Sequence, residues 1–251
     1  MAKDRVELSQ EMLLAALGDG WSQADINSAA DLLSGGEGQF PSGIRSLPPD
    51  LVSAVQRERL LAAMLRATAQ LGYREVSVQD VLDRAGVSRP TFYEHFGNKE
   101  DCFMAAFDTA SARLRTRLET AGEDGNGWRE RLRLSIEALL RFVGEEPDAA
   151  MTLIVDARAA CPDALTRRDE LLDHFTSCLD SQVRAEAPSD SAPTAIAAAG
   201  IVGGIEALLY SRLNRGEADD VESLLPSLMY FAVLPYEGHE AASEELLASV
   251  L

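Results

Sequence analysis

Residues 77–100 read SVQDVLDRAGVSRPTFYEHFGNKE, and this stretch predicts two short helices joined by a tight turn. Ser77 can cap the first helix, and Gly86 ends it because glycine readily adopts the left-handed conformation found after a helix. Ser88 can then cap a second helix over residues 89–96, whose first turn tolerates a proline. Two short helices with such a turn form a helix-turn-helix, a unit that places its second helix in the major groove of DNA.

The second helix of this unit has one apolar side and one side that suits DNA. Phe92 and Phe96 are four residues apart, so both are predicted to be buried. Arginine can bond a guanine edge through two N–H groups, proline and the threonine methyl group can contact a thymine methyl group, and tyrosine and histidine can donate to phosphates. The side chains predicted to face outward or sideways are Arg89, Pro90, Thr91, Tyr93 and His95.

The flanking residues extend the pattern, and together they resemble a known family. Apolar residues at helical spacing predict a preceding helix over 55–71 that stops at Gly72. With its Ala-Gly-Val-Ser turn, Thr-Phe-Tyr-x-His-Phe helix and following Asn-Lys-Glu, the segment 57–107 resembles the DNA-binding domain of the TetR/AcrR family of bacterial repressors. The resemblance covers about 50 of the 251 residues.

This resemblance implies a role for each candidate DNA-binding residue. It implies base contacts from Arg89, Pro90 and Thr91, and phosphate contacts from Tyr93, His95 and Lys99. Ser77 matches the family's hydroxyl residue at the start of the second helix, and Ser88 completes the candidate DNA-binding set. Independently of the family, Lys99 is one of two lysines in the chain and starts a helix, where the backbone already favours an anion. Glu94 is a departure, because it places a negative charge on the recognition helix.

The charge is unevenly distributed along the chain. The formal net charge is −18, from 23 Lys and Arg against 41 Asp and Glu, which argues against a protein that coats nucleic acid. Residues 1–50 carry −5 and residues 108–251 carry −13, whereas residues 51–107 are neutral with 7 basic and 7 acidic side chains. An acidic body beside a neutral DNA-binding segment predicts weak non-specific DNA binding, with specificity left to a few contacts.

Composition and periodicity favour a soluble, all-α protein. Hydrophobic residues make up 46% of the chain, which is ordinary for a globular protein. The uncharged stretch 192–205 is shorter than the roughly 20 residues of a membrane span. No secretory signal begins the chain, and three cysteines without CxxC spacing favour reduced thiols, so we expect a cytoplasmic protein without membrane attachment.

Three regions are expected: an N-terminal helical extension and linker over 1–50, a helix-turn-helix domain over 51–107, and a helical ligand-binding and dimerisation domain over 108–251. The first contains possible helices at 6–17 and 22–33 and a linker at 35–49. Apolar stripes predict a helix over 98–121, which runs from the second region into the third, and another over 129–143. The family resemblance implies a small-molecule pocket in this third region, and we expect no cofactor. Candidate lining residues are chosen by their apolar character: Trp128, Phe142, Met151, Phe175 and Tyr210.

Two later segments suggest a dimer interface. Residues 195–213 carry small residues at helical spacing, which allow another helix to approach closely, and residues 221–234 are apolar on nearly every side. The resemblance implies that two penultimate long helices of each subunit form a four-helix interface, and these segments fit by order; packing within one subunit is the alternative. The candidate interface residues are Ala197, Gly200, Gly204, Leu208, Leu228 and Phe231.

Catalytic motifs do not stand out in the sequence. There is no nucleophile elbow, phosphate loop, dinucleotide fingerprint or His/Glu metal-ligand spacing. We therefore expect a dimeric transcriptional regulator, most simply a repressor that binds a double-stranded palindromic operator and is released by an unidentified small molecule. The alternatives are a helical adaptor or small-molecule-binding protein that no longer binds DNA, and an unrecognised enzyme.

Overall fold

The computed structural model describes residues 48–186 and 195–247, and it confirms the all-α class, with no strand among those residues. The possible helices at 6–17 and 22–33 lie outside the described residues, as does all but the end of the expected linker. That end is wrong in detail, because Pro49 is already the first residue of a helix. Proline suits this position, where its fixed backbone angle is helical and its missing N–H costs no hydrogen bond.

The chain divides into two compact units between Ala106 and Phe107. The first contains α1 (Pro49–Leu71), α2 (Val78–Ala85), α3 (Arg89–His95) and the start of α4 (Lys99–Glu123). Its core is built from side chains with no measurable exposure, among them Leu60, Met64, Val81, Phe92 and Phe103. These residues come from all four helices, so the short α2 and α3 are held by tertiary packing rather than by their own length.

The second unit continues through α4 into a bundle of helices. The elements that follow are α5 (Trp128–Glu145), a single turn α6 (Pro147–Ala150), a π-helical turn (Met151–Val155), a 3-10 turn (Asp156–Arg158), α7 (Pro162–Glu186), α8 (Ala195–Asn214), two 3-10 turns (Ala218–Asp220 and Glu222–Leu224) and α9 (Leu225–Leu247). Buried residues such as Phe142, Leu140, Ile201, Leu209 and Met229 form its core. The π-helical turn interrupts regular helix beside this core.

Two helices of the second unit have unusual features. The regular helix of α9 is interrupted at Gly238, whose φ of 81° is non-helical, three residues after Pro235. By length and composition alone, Ile196–Asn214 in α8 is apolar enough to cross a membrane. Packed helices of soluble proteins share this composition, and Glu206 in the middle of α8 is ion-paired with arginines of the same unit.

Candidate DNA-binding surface and ligand cavity

The start of α2 is fixed by reciprocal hydrogen bonds between Ser77 and Asp80. The Asp80 backbone N–H donates to the Ser77 hydroxyl oxygen at 3.2 Å, and the Ser77 backbone N–H donates to the Asp80 carboxylate at 2.9 Å. Hydrogen bonds from Ser77 hold the pKa of Asp80 below its ordinary value. Gly86 then ends α2 with a φ of 67°, as predicted. Ser77 is exposed, but its hydroxyl and backbone N–H already take part in the cap. Only hydrogen-bonding capacity that the cap does not use is available to a phosphate.

Ser88 sets the position of α3 in the same way. Its hydroxyl oxygen accepts from the Thr91 backbone N–H at 3.3 Å and lies 2.8 Å from the Thr91 hydroxyl. Phe92 and Phe96 are buried, as predicted, at 0% and 6% exposure. The opposite side of α3 therefore faces solvent: Arg89 and Pro90 are exposed, and Tyr93 is 51% exposed with its ring edge against Phe92.

Arg89 is oriented by a residue that the sequence analysis missed. Its Nη2 donates to Gln79 Oε1 at 2.9 Å, while Gln79 Nε2 donates to Asp83 Oδ1 at 2.7 Å. The four-residue spacing of Gln79 and Asp83 along α2 was a usable signal; the contact to Arg89 across the turn was not readable from spacing. These two hydrogen bonds fix the guanidinium of Arg89 against the exposed side of α2. They leave its other N–H groups available to a base or a phosphate.

Lys99 and His95 are less available than the sequence suggested. Lys99 Nζ donates to the backbone oxygens of Tyr73 and Val76 at 2.9 and 2.8 Å and lies 4.2 Å from the centre of the Tyr73 ring. Two of its three hydrogens therefore hold the connection between α1 and α2. His95 is half-buried, and burial, with the nearby Arg57 charge, lowers its pKa. At neutral pH it offers a phosphate a neutral N–H donor rather than a positive charge.

A cavity of about 500 Å³ lies within the second unit, in the size range of small-molecule sites. Its wall is mainly aliphatic, with side chains from α4, α5, the π-helical turn, α7 and α8, such as Leu118, Leu139, Ile154, Leu172 and Ile205. Cys178, whose thiol pKa is raised by burial and by Glu119, also lines it. The size and lining suit a largely hydrocarbon molecule.

One of the five predicted lining residues, Phe175, lies in this wall, and the other four do not. Trp128 packs its ring against Tyr236 at 5.2 Å, and Phe142 is buried at 1% exposure in the core. Met151 belongs to the π-helical turn without reaching the cavity, and Tyr210 lies under the guanidinium of Arg158. Apolar character alone selected them, and it cannot distinguish a core residue from a residue beside a cavity.

The cavity also has a charged wall that the sequence analysis missed. Glu206 lines it and accepts from Arg158 Nη2 at 2.5 and 2.7 Å and from Arg168 Nη2 at 2.7 Å. His174 Nε2 lies 3.0 Å from Glu119 Oε1, and both residues belong to the lining. A single carboxylate within the apolar run of α8 was the available signal. Its arginine partners are 48 and 38 residues away in sequence, so their identity was not readable.

The six predicted interface residues divide into exposed and covered positions. Gly200 is exposed, Phe231 is 45% exposed, and Ala197 and Leu208 are half-buried. Gly204 packs against Phe231 so closely that an added Cβ would lie 3.0 Å from the ring. Leu228 is a correction: it is 4% exposed and buried in its own subunit, so it cannot lie on an outer face. Ile196, at 79% exposure, was missed.

Known proteins resemble the chain on both sides of the unit boundary. The family model described as bacterial regulatory proteins, tetR family, matches residues 60–106, which hold the helix-turn-helix. The repressor KstR of Mycolicibacterium smegmatis is 30% identical over 153 residues, which are 58% of this chain and 70% of KstR. The chain belongs to the TetR family. It is a DNA-binding transcriptional regulator, and the adaptor and enzyme alternatives have no support among these relatives.

Two further relatives set the range of this family likeness. The activator FasR of M. smegmatis is 30% identical over 129 residues, which are 44% of this chain and 57% of FasR. The crystal structure of the FadR regulator of Bacillus subtilis in complex with stearoyl-CoA is 20% identical and shares the fold, with a TM-score of 0.62 over 72% of this chain and 98% of FadR.

Among the residues that the structure describes, no group of three or more His, Cys, Asp or Glu could hold a metal ion.

Proposed function

We propose that this TetR-family regulator is a cytoplasmic homodimeric repressor that binds a palindromic operator and is released by a largely apolar small molecule. The observation that carries the proposal is the coexistence of an exposed, capped recognition helix in one unit with an aliphatic cavity in the other. Among the relatives, KstR is a repressor and FasR an activator. Repression requires only that the bound protein block access to the promoter, so it is the simpler output.

Dimerisation is supported by the outer faces of α8 and α9. Ile196, Phe231 and Leu234 are exposed apolar side chains at 79%, 45% and 38%. The exposed Gly200 lies one helical turn after Ile196, and Phe231 packs against Gly204. A patch of this kind on a soluble protein marks an interaction surface. Two-fold symmetry then supplies two recognition helices, which matches the symmetry of a palindrome and compensates for the limited readout of one short helix.

A pair of glycine variants tests the dimer. A Cβ added at Gly200 or at Gly144 meets no atom within 4 Å inside the subunit, so glutamate fits at either position without a clash at its first carbon. Gly200→Glu is expected to give monomers in sedimentation, because it places a charge in the proposed interface. Gly144→Glu, on the exposed side of α5, is expected to remain dimeric. A dimeric Gly200→Glu protein would place the interface elsewhere.

Operator binding is tested with the DNA that flanks the protein's own gene. We expect a footprint over a palindrome, and we expect Arg89→Ala to weaken binding by about 1 to 3 kcal/mol and to relax preference at one base pair in each half-site. Arg141→Ala removes the same charge from an exposed position of α5 and is the matched control. Equal weakening on every DNA sequence would make Arg89 a phosphate contact. The absence of any footprint would refute operator binding at this locus.

A further inference from the structure

The arginines that line the cavity are both paired within the protein. Arg131 binds Glu186, and Arg168 binds Glu206 at 2.7 Å and Asp169 at 2.8 Å. An anionic ligand group buried in an apolar cavity needs a cation or several N–H donors, because an unpaired buried charge is strongly unfavourable. Both lining arginines are therefore paired with carboxylates of the chain, and the Nε–H of Arg168, which has no hydrogen-bond partner among the described residues, is itself buried.

Glu206 lies where a ligand carboxylate would be expected. It is 9% exposed and lines the cavity. The guanidinium groups of Arg158, in the 3-10 turn that precedes α7, and of Arg168, in α7, bind its carboxylate. Two arginines around one carboxylate are the arrangement by which proteins hold carboxylate and phosphate groups. Here the carboxylate belongs to α8, so the chain itself fills its anion site.

The rest of the charged lining also disfavours anions. Glu119 and Glu123 are exposed lining residues, and the other arginine of the lining, Arg131, is bound by Glu186. The sequence from 108 to 251 carries a net charge of −13. A ligand with several phosphate charges would therefore meet a repulsive surface as well as a filled anion site.

We propose that the cavity binds an uncharged, largely hydrocarbon molecule and that Glu206 excludes ligands with a carboxylate or phosphate head group. This inference rests on the proposed function, in which the cavity is the effector site. It separates this chain from the FadR structure, whose ligand is stearoyl-CoA. Hydrocarbon burial supplies the affinity, and the filled anion site supplies the selectivity.

Three compounds with the same ten-carbon chain test the selectivity of the unmodified protein: decan-1-ol, decanoate and decanoyl-CoA. Each is titrated against the purified full-length protein carrying a neutral fluorescent dye, and displacement of the dye is measured. We expect decan-1-ol to bind at least about tenfold more tightly than either anion. Equal or tighter binding of decanoate or decanoyl-CoA would overturn the proposal, and so would failure of all three to bind.

Glu206→Gln tests the residue itself. The variant removes the negative charge between Arg158 and Arg168, so the affinity ratio of decanoate to decan-1-ol is expected to rise by at least about tenfold. Glu217→Gln is the matched control, because Glu217 pairs with Arg212 at 3.1 Å and lies outside the cavity lining. An unchanged ratio in folded Glu206→Gln protein would overturn the role of Glu206.

The two proposals fail separately. Operator footprinting is measured without any added compound, so loss of the ligand preference leaves the operator result standing. Should Glu206→Gln not fold, the three-compound comparison on the unmodified protein still decides the ligand class. A footprint that decan-1-ol does not release, despite tight binding, would refute the effector part of the proposed function and leave the cavity chemistry intact.

Discussion

The two units use arginine in opposite ways. On the candidate DNA-binding surface, Arg89 is exposed and held by one neutral amide, so its charge remains available to a partner outside the protein. In the second unit, several arginines of α5 and α7 bind carboxylates of the same unit, and Glu245, at 4% exposure, accepts from both Arg129 and Arg133. Location and pairing, rather than the number of basic residues, therefore decide which charges can meet DNA.

The largest effect that this comparison predicts is on Glu245. Glu245→Gln should lower the free energy of unfolding by about 3 kcal/mol, because it leaves two partly buried guanidinium groups without their shared carboxylate. Urea unfolding measures the change, and Glu240→Gln, an exposed position on the same helix, is the control. If both variants unfolded at the same urea concentration, the ion pairs of Glu245 would contribute no more to the free energy of unfolding than an exposed charge does.

A smaller effect is expected at Lys99, which bonds groups within the protein and can also contact DNA. Lys99→Met should cost about 1 to 2 kcal/mol of stability, because the carbonyls of Tyr73 and Val76 lose their charged donor. Its remaining hydrogen can reach a phosphate, so the salt dependence of operator binding should also fall by about one charge per subunit. Arg115→Met, at an exposed position of α4, controls for net charge. A lower stability with an unchanged salt dependence would make Lys99 a purely structural residue.

The smallest effect concerns Asp156, whose carboxyl group has a buried oxygen that the second unit leaves unpaired. Its Oδ2 is buried without a hydrogen bond, and burial raises its pKa to about 6. Because the folded protein holds this proton more tightly than the unfolded chain, stability falls as pH rises from about 4 through 6 and stays lower above that range. Asp156→Asn removes this loss.

Thermal unfolding at two pH values checks the prediction for Asp156. Asp156→Asn should be more stable than the unmodified protein by about 1 kcal/mol near pH ~7.5, allowing for partial exposure, and the gain should shrink below about pH 5. The exposed Asp163 gives the control variant, Asp163→Asn. A gain that does not change with pH would show that the new amide side chain improves packing or hydrogen bonding instead.

The sequence predicted local features well and distant pairings poorly. The caps at Ser77 and Ser88, the stop at Gly86 and the burial of Phe92 and Phe96 follow from spacing of a few residues, and the structure agrees with each. The cavity wall depends on how five elements pack, so four of five predicted lining residues fall outside it. The partners of Lys99 and Glu206 lie 23 or more residues away, beyond the reach of any local pattern.

The placement of Glu206 also bears on how such a regulator can change during evolution. One base substitution converts a glutamate codon into a glutamine codon. Because Arg158 and Arg168 are already positioned around this side chain, that substitution would leave both guanidinium groups without this carboxylate and would not change the hydrocarbon wall. With the ligand class proposed above, a descendant would accept fatty acids more readily after a single step, while its operator recognition stayed the same.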